Sequence, residues 1–126
     1  MKKIYLLICL GLFSSLVFAQ EKIAKIEFKS EIIDYGSIAH NSDGIRVFEF
    51  TNTGDAPLII TQVSSSCGCT IPKKPEAPIM PGKTGEIQVK YDTSRVGPIR
   101  KAVTVNSNAN TPTKVLTIKG NVKSPE

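Results

Sequence analysis

The stretch Gly85-Glu86-Ile87-Gln88-Val89-Lys90-Tyr91 decides the fold, because apolar and polar residues alternate strictly along it. Successive side chains of a β-strand point to opposite faces, so a period of two predicts a strand with one buried face. The same alternation recurs in four other segments of the chain. We therefore expect a core that lies between two sheets and is built from Phe48, Phe50, Ile87, Val89, Val103, Val105, Leu116 and Ile118.

Turn-forming sequences rich in Gly, Pro, Asn and Asp separate the alternating segments. The predicted strands cover residues 25–29, 33–38, 45–51, 58–64, 85–91, 99–107 and 113–122. No window of ten or more residues beyond the N-terminal segment shows a helical pattern. Several short strands in about a hundred residues predict an all-β fold, an immunoglobulin-like antiparallel β-sandwich of about seven strands.

The first nineteen residues have the pattern of a signal peptide. Lys2 and Lys3 precede an apolar run at 4–12, and Ala19 ends a small-x-small cleavage site. We expect residues 1–19 to be removed, together with Cys9, and residues 20–126 to form a single domain. The protein is then exported, to the periplasm or the extracellular space, with no membrane span after cleavage.

The charge of the chain argues against nucleic acid as a partner. Without Lys2 and Lys3, 14 of the 16 basic residues remain against 11 acidic ones. The basic residues are spread along the predicted strands and never form a run of five or six. Such a distribution is typical of a solvated surface and not of a nucleic-acid-binding patch.

The connection from Ser65 to Thr84 is the longest between predicted strands. It contains the pair Cys67-Gly68-Cys69 and four prolines, each of which lacks the N–H that a central strand would need. We therefore expect a stiff surface loop with no central paired strand in it.

Several motifs in this order resemble one bacterial family. They are Thr51-Asn52-Thr53-Gly54-Asp55-Ala56-Pro57-Leu58, Ser66-Cys67-Gly68-Cys69-Thr70 and Pro81-Gly82-Lys83-Thr84-Gly85. The chain resembles exported proteins known only as a domain of unknown function, number fifteen seventy-three. That family is similar to the Hydin and major-sperm-protein group of immunoglobulin-like sandwiches. The resemblance implies this fold and a scaffold or adhesion role, and it supplies no activity.

Cys67 and Cys69 are a possible disulfide or thiol site, because an exported protein meets an oxidising compartment. A bridge between them closes a loop of three residues, which stabilises the fold by only about 1.6 kcal/mol in the chain-entropy account. The chain must also fold tightly at Gly68, a residue that tolerates such a turn. The pair is then a redox-sensitive clasp, a fixed loop shape, or simply an inert structural corner. Replacing both by serine is expected to cost less than about 2 kcal/mol if they are exposed.

Metal and enzyme chemistry are weaker readings of the same pair. Two thiolates suit Cu(I), with His40 and Met80 as further ligands, whereas zinc needs four ligands that this chain hardly offers. Thiol oxidoreductases use C-x-x-C at a helix N-terminus, and no such helix is predicted. We expect no catalytic residues, no resident metal and no cofactor.

If strands run alternately up and down, three loops meet on one rim of the sandwich. This candidate binding rim comprises His40, Cys67, Gly68, Cys69, Asn108 and Asn110. The sequence thus predicts a non-enzymatic interaction or scaffold module of the cell envelope with an unidentified protein partner. The alternative is a thiol-based redox or copper-handling protein that uses Cys67 and Cys69.

Overall fold

A computed structural model describes residues 22–125, and the predicted signal peptide with Cys9 lies outside them. The described chain is all-β. Its eight strands are β1 (Ile26–Phe28), β2 (Ile32–Ile38), β3 (Ile45–Asn52), β4 (Ile60–Ser65), β5 (Thr70–Lys73), β6 (Thr84–Tyr91), β7 (Gly97–Ser107) and β8 (Thr113–Val122). Between residues 22 and 125 there is no helix with the length and apolarity needed to cross a membrane.

Two four-stranded sheets form the sandwich. Sheet 1 has the strand order β1-β3-β6-β5 and sheet 2 has the order β2-β8-β7-β4. The predicted antiparallel sandwich is confirmed, with the exception of one pair, because β2 runs parallel to β8. Alternation along a strand shows which face is buried, but it carries no information on the direction of the neighbouring strand.

The core lies where the sequence pattern predicts it. All eight predicted core residues are at most 1% exposed, and they lie on β3, β6, β7 and β8, the inner strands of the two sheets. Phe50 also packs against Phe28 of β1, with ring centroids 5.6 Å apart. Period-two alternation therefore identifies the buried faces of both sheets correctly.

Strand β5 is missing from the sequence prediction, which assigns residues 65–84 to one loop. The structure places Thr70–Lys73 at the edge of sheet 1, paired with β6 alone. Pro72 is compatible with this position, because an edge strand needs donors on one side only. The prolines exclude a central strand here, but they do not exclude an edge strand.

The extra strand reverses the direction of every later strand relative to the prediction. The loops after β2, β4 and β6 lie at one end of the sandwich, which we call the disulfide end. The loops after β3, β5 and β7 lie at the other, the Asn52 end. The loop containing Asn108 and Asn110 therefore lies opposite the cysteines and not beside them.

The open edge of β5 is protected from further strand pairing. The Cys69 carbonyl accepts a hydrogen bond from Asp92 N–H in the neighbouring loop. Because backbone groups alternate in direction along a strand, the backbone groups of Thr70 and Pro72 face the open edge. Thr70 N–H already donates to the Cys67 carbonyl at 3.2 Å, and proline has no N–H. Residues 70–73 consequently offer no free backbone N–H group at this edge.

At the Asn52 end, one buried amide holds four segments together. The Asn52 Oδ1 atom accepts from the N–H groups of Gly54 at 2.9 Å and Lys25 at 3.4 Å. Its Nδ2 atom donates to the carbonyls of Ala56 at 2.8 Å and Ile79 at 2.9 Å. Asn52 is fully buried, so all its polar atoms depend on these partners.

We expect Phe50→Ala to lower the free energy of unfolding by about 3–5 kcal/mol, because it leaves a cavity in the core. Denaturant unfolding followed by circular dichroism measures the loss. Val115→Ala is the control, since Val115 is largely exposed and its truncation should change stability by no more than about 0.5 kcal/mol. A Phe50→Ala protein with wild-type stability would contradict the burial of this ring.

Asn52→Ala should cost about 3 kcal/mol or more, because it leaves buried N–H and C=O groups without partners. Asn110→Ala, at an exposed position of the same end, should be nearly neutral. Chemical unfolding of both variants tests the comparison. Equal stability of the two would show that the Asn52 amide does not organise this end.

Candidate functional site

The disulfide turn, residues Ser66 to Cys69, connects the two sheets. It follows β4 at the edge of sheet 2 and precedes β5 at the edge of sheet 1. Cys67 and Cys69 are joined by a disulfide, with their Cα atoms 5.2 Å apart. The bridge therefore clasps the four-residue crossover from one sheet to the other.

The two sulfur-bearing residues differ sharply in exposure. Cys69 is only 1% exposed and belongs to the core, whereas Cys67 is half-buried against it. Gly68 between them is exposed. Replacement of both cysteines is expected to cost little stability only if both are exposed, and Cys69 is not.

The turn does not need the conformational freedom of glycine that the sequence predicts for Gly68. Among residues 22–125 the glycines with positive φ are Gly36, Gly82, Gly97 and Gly120, so the turn does not place Gly68 in the left-handed region. A Cβ atom built at Gly68 would meet nothing within 4 Å. Neither backbone conformation nor packing therefore requires glycine between the cysteines.

The loop between β6 and β7 supports the disulfide turn from the side. Asp92 N–H donates to the Cys69 carbonyl at 2.7 Å. The Asp92 carboxylate accepts from the N–H and hydroxyl of Ser94 and contacts Arg95. These hydrogen bonds, those of Ser94 first, hold the pKa of Asp92 below its ordinary value. The loop is thereby stiffened where it contacts Cys69.

A tyrosine pair closes the core at the same end. The rings of Tyr35 and Tyr91 are 6.4 Å apart, and the Arg46 guanidinium lies 4.3 Å above the Tyr35 ring. The Tyr35 hydroxyl donates to the Gly44 carbonyl at 2.7 Å. Burial raises the pKa of Tyr35 to about 12, with a smaller opposing effect of Arg46 and a smaller raising effect of Asp43.

The structure separates the residues of the predicted rim. His40 shares the disulfide end with Cys67, but the two follow β2 and β4, which are opposite edges of sheet 2. Three strand spacings make this separation about 14 Å. Asn108 and Asn110 lie at the Asn52 end, so the prediction that they join the rim is wrong.

Asn108 has a structural role in its own right. Its side chain accepts from Ile59 N–H at 2.8 Å and donates to the Pro57 carbonyl at 3.0 Å. Asn110 N–H donates to the Ala24 carbonyl. Both residues therefore fasten loops of the Asn52 end to one another.

The ligands suggested for copper do not converge. Met80 lies at the Asn52 end, where its carbonyl accepts from Lys83 N–H, and His40 lies across sheet 2 from the cysteines. Within residues 22–125 no group of three or more His, Cys, Asp or Glu side chains is placed to share a metal ion. The proposed third and fourth ligands are thus not beside Cys67 and Cys69.

An exposed apolar patch beside the disulfide end was missed in the sequence. Register places Ile45, Lys90 and Ile71 in one row across β3, β6 and β5, with Val47 and Lys73 in the next row. We call these five residues the Ile71 patch. Ile71 is 63% exposed, Val47 41% and Ile45 38%. Ile45 and Val47 alternate out of phase with Phe48 and Phe50, a signal that could have identified outward apolar residues.

Comparisons with known proteins agree with this architecture. A family model described as a protein of unknown function (DUF1573) matches residues 26–122. A crystal structure of a protein of unknown function from Porphyromonas gingivalis is similar, with a TM-score of 0.71, 16% identity, and coverage of 84% of this chain and 50% of that one. This chain thus spans half the length of the Porphyromonas protein.

Two eukaryotic domains share the fold. The ASH/PapD-like domain 7 of human CEP192 has a TM-score of 0.67 and 11% identity over 87% of this chain and 94% of that one. WR4, a C. elegans MSP family member, has a TM-score of 0.50 and 9% identity over 79% and 98%. No curated protein sequence matches this chain. The expected likeness to immunoglobulin-like sandwiches of the major-sperm-protein type is confirmed.

Gly68→Ala and Gly44→Ala form a matched pair at the disulfide end. We expect Gly68→Ala to change stability by at most about 0.5 kcal/mol, because its Cβ would occupy open space. At Gly44 a Cβ would lie 2.1 Å from the Tyr91 carbonyl oxygen, so Gly44→Ala should cost about 3 kcal/mol or more. Urea midpoints of both variants decide the comparison, and the opposite ranking would contradict the packing described.

Proposed function

This chain belongs to the DUF1573 family of proteins of unknown function, and we propose that it is an exported, non-enzymatic module that binds a protein partner in the cell envelope. The binding surface in this proposal is the Ile71 patch together with the adjoining disulfide turn. The observation that carries the proposal is the exposed row of Ile45, Lys90 and Ile71 across three strands.

The chemistry of this surface favours an apolar and acidic partner segment. Exposed aliphatic side chains gain free energy when another surface covers them. Lys73 and Lys90 lie among them, and the next row of the same face carries the carboxylates of Glu49 and Glu86. A partner that places acidic groups against the lysines and away from the carboxylates would dock in one orientation.

The disulfide turn gives this surface a rigid border. Ile71 lies two residues after Cys69, whose carbonyl is held by Asp92 N–H. The turn is therefore fixed from both sides before a partner arrives, which lowers the entropic cost of binding. Gly68 leaves open space beside the bridge, where a partner chain could approach closely.

Export is the part of the proposal that rests on sequence. Lys2, Lys3 and the apolar run that follows have the pattern of a secretory signal. A disulfide between Cys67 and Cys69 is compatible with that destination, since disulfides persist in oxidising compartments.

Site-specific photocrosslinking in cells that produce the protein tests the binding surface. A photoreactive amino acid replaces Ile71 in one variant and Val115 in the control. Both positions are exposed on outer sheet faces, at 63% and 53%, but Val115 lies on sheet 2. We expect one covalent adduct of defined mass at position 71 and none at 115.

Lys73→Glu combined with Lys90→Glu should abolish the adduct at position 71, because the charges of the patch are then reversed. Unfolding midpoints of these exposed variants should remain close to that of the unmodified protein. Equal crosslinking at positions 71 and 115, or none at 71, would contradict this binding surface.

A further inference from the structure

The two sulfur atoms of the bridge are not equivalent toward an incoming thiol. Cys69 is buried in the core, while Cys67 is half-buried and borders the exposed Gly68. Because a Cβ at Gly68 would meet no atom within 4 Å, the space beside the bridge is open. Thiol–disulfide exchange depends on which sulfur can be reached, and here it is the sulfur of Cys67.

Negative charge on either sulfur has a hydrogen-bond partner. Cys69 N–H donates to the Cys67 Sγ atom at 3.1 Å. The Thr70 hydroxyl lies 3.7 Å from the Cys69 Sγ atom, within the distance of a hydrogen bond to sulfur. Donors aimed at a sulfur favour its thiolate, which is both the nucleophile and the better leaving group.

The turn is also held by hydrogen bonds that do not involve the sulfur–sulfur bond. Thr70 N–H donates to the Cys67 carbonyl at 3.2 Å, and Asp92 N–H donates to the Cys69 carbonyl at 2.7 Å. Cys67 N–H donates in addition to the Ser65 hydroxyl. Backbone hydrogen bonds that remain after reduction allow the bridge to open and close within the folded protein.

From these contacts we propose that Cys67–Cys69 is a thiol–disulfide exchange site that accepts electrons from dithiols of other proteins. Cys67 is the sulfur that the incoming thiolate attacks, and Cys69 is the leaving sulfur. This activity goes beyond the binding role and does not depend on it.

The reaction balances with a protein dithiol as the reductant. A thiolate of the dithiol attacks Cys67 Sγ, a mixed disulfide forms, and the electron pair of the broken bond leaves on Cys69 Sγ. The second thiolate of the dithiol then attacks the partner sulfur that is bonded to Cys67. This step releases the Cys67 thiolate, which accepts a hydrogen bond from Cys69 N–H. Two electrons have moved, the partner is oxidised to a disulfide, and both cysteines take up protons to become thiols.

Two measurements on the purified mature chain test this assignment. The native protein is reduced with dithiothreitol and briefly alkylated with iodoacetamide, and each cysteine is quantified by mass spectrometry. We expect Cys67 to react at least about tenfold faster than Cys69. Circular dichroism should show that the reduced protein remains folded.

Trapping with oxidised glutathione supplies the second measurement. Cys69→Ser should form a mixed disulfide at Cys67, and Cys67→Ser should form about tenfold less at Cys69. Val115→Ala, an exposed position on sheet 2, serves as the control and should exchange as the unmodified protein does. Equal alkylation of the two cysteines, or a bridge that is reduced only after denaturant unfolds the chain, would overturn the proposal. The alkylation test uses no cysteine substitution, so it decides the matter even if Cys69→Ser does not fold.

Discussion

The hydrogen bonds of Asn52 are the constraint on which one whole end of the sandwich depends. Its side chain bonds the segment before β1, the loop after β3 and the loop after β5, and its backbone bonds Gly82 and Lys83. An amide can meet such a demand because it offers two donors and an acceptor in one plane. Loss of these bonds would destabilise the fold, because a buried polar group without a partner costs free energy. The apolar core gives cohesion, and this amide determines how the loops are arranged over it.

Features of the fold that depend on adjacent residues could be predicted from the sequence. Features that depend on contacts between distant segments could not. Phe48 and Phe50 flank the charged Glu49, so their burial follows from two or three positions of sequence. The parallel arrangement of β2 and β8 pairs residues about 85 positions apart, such as Ile32 with Thr117, and nothing in either segment reveals it. Strand β5 was missed because Pro72 argues against pairing in general, although it is acceptable at an edge.

The candidate site shows the same division. Cys67 and Cys69 were recognised from spacing alone, but their unequal burial depends on how the turn crosses between sheets. One missed strand of four residues was enough to move Asn108 and Asn110 to the wrong end, since each strand reverses the chain. The Ile71 patch forms only when three strands are laid side by side, so no single segment displays it. Sequence patterns thus identify reactive residues well and surfaces poorly.

The missing donors along the open edge of β5 have a consequence for contacts between copies of the protein. Sheets aggregate when the unpaired edge of one molecule supplies N–H and C=O groups to the next. Because Thr70 and Pro72 present carbonyls but no free N–H, another strand cannot pair with this edge. The side of the sandwich next to the proposed docking surface is therefore shielded from fibril-like growth, although apolar side chains are exposed beside it.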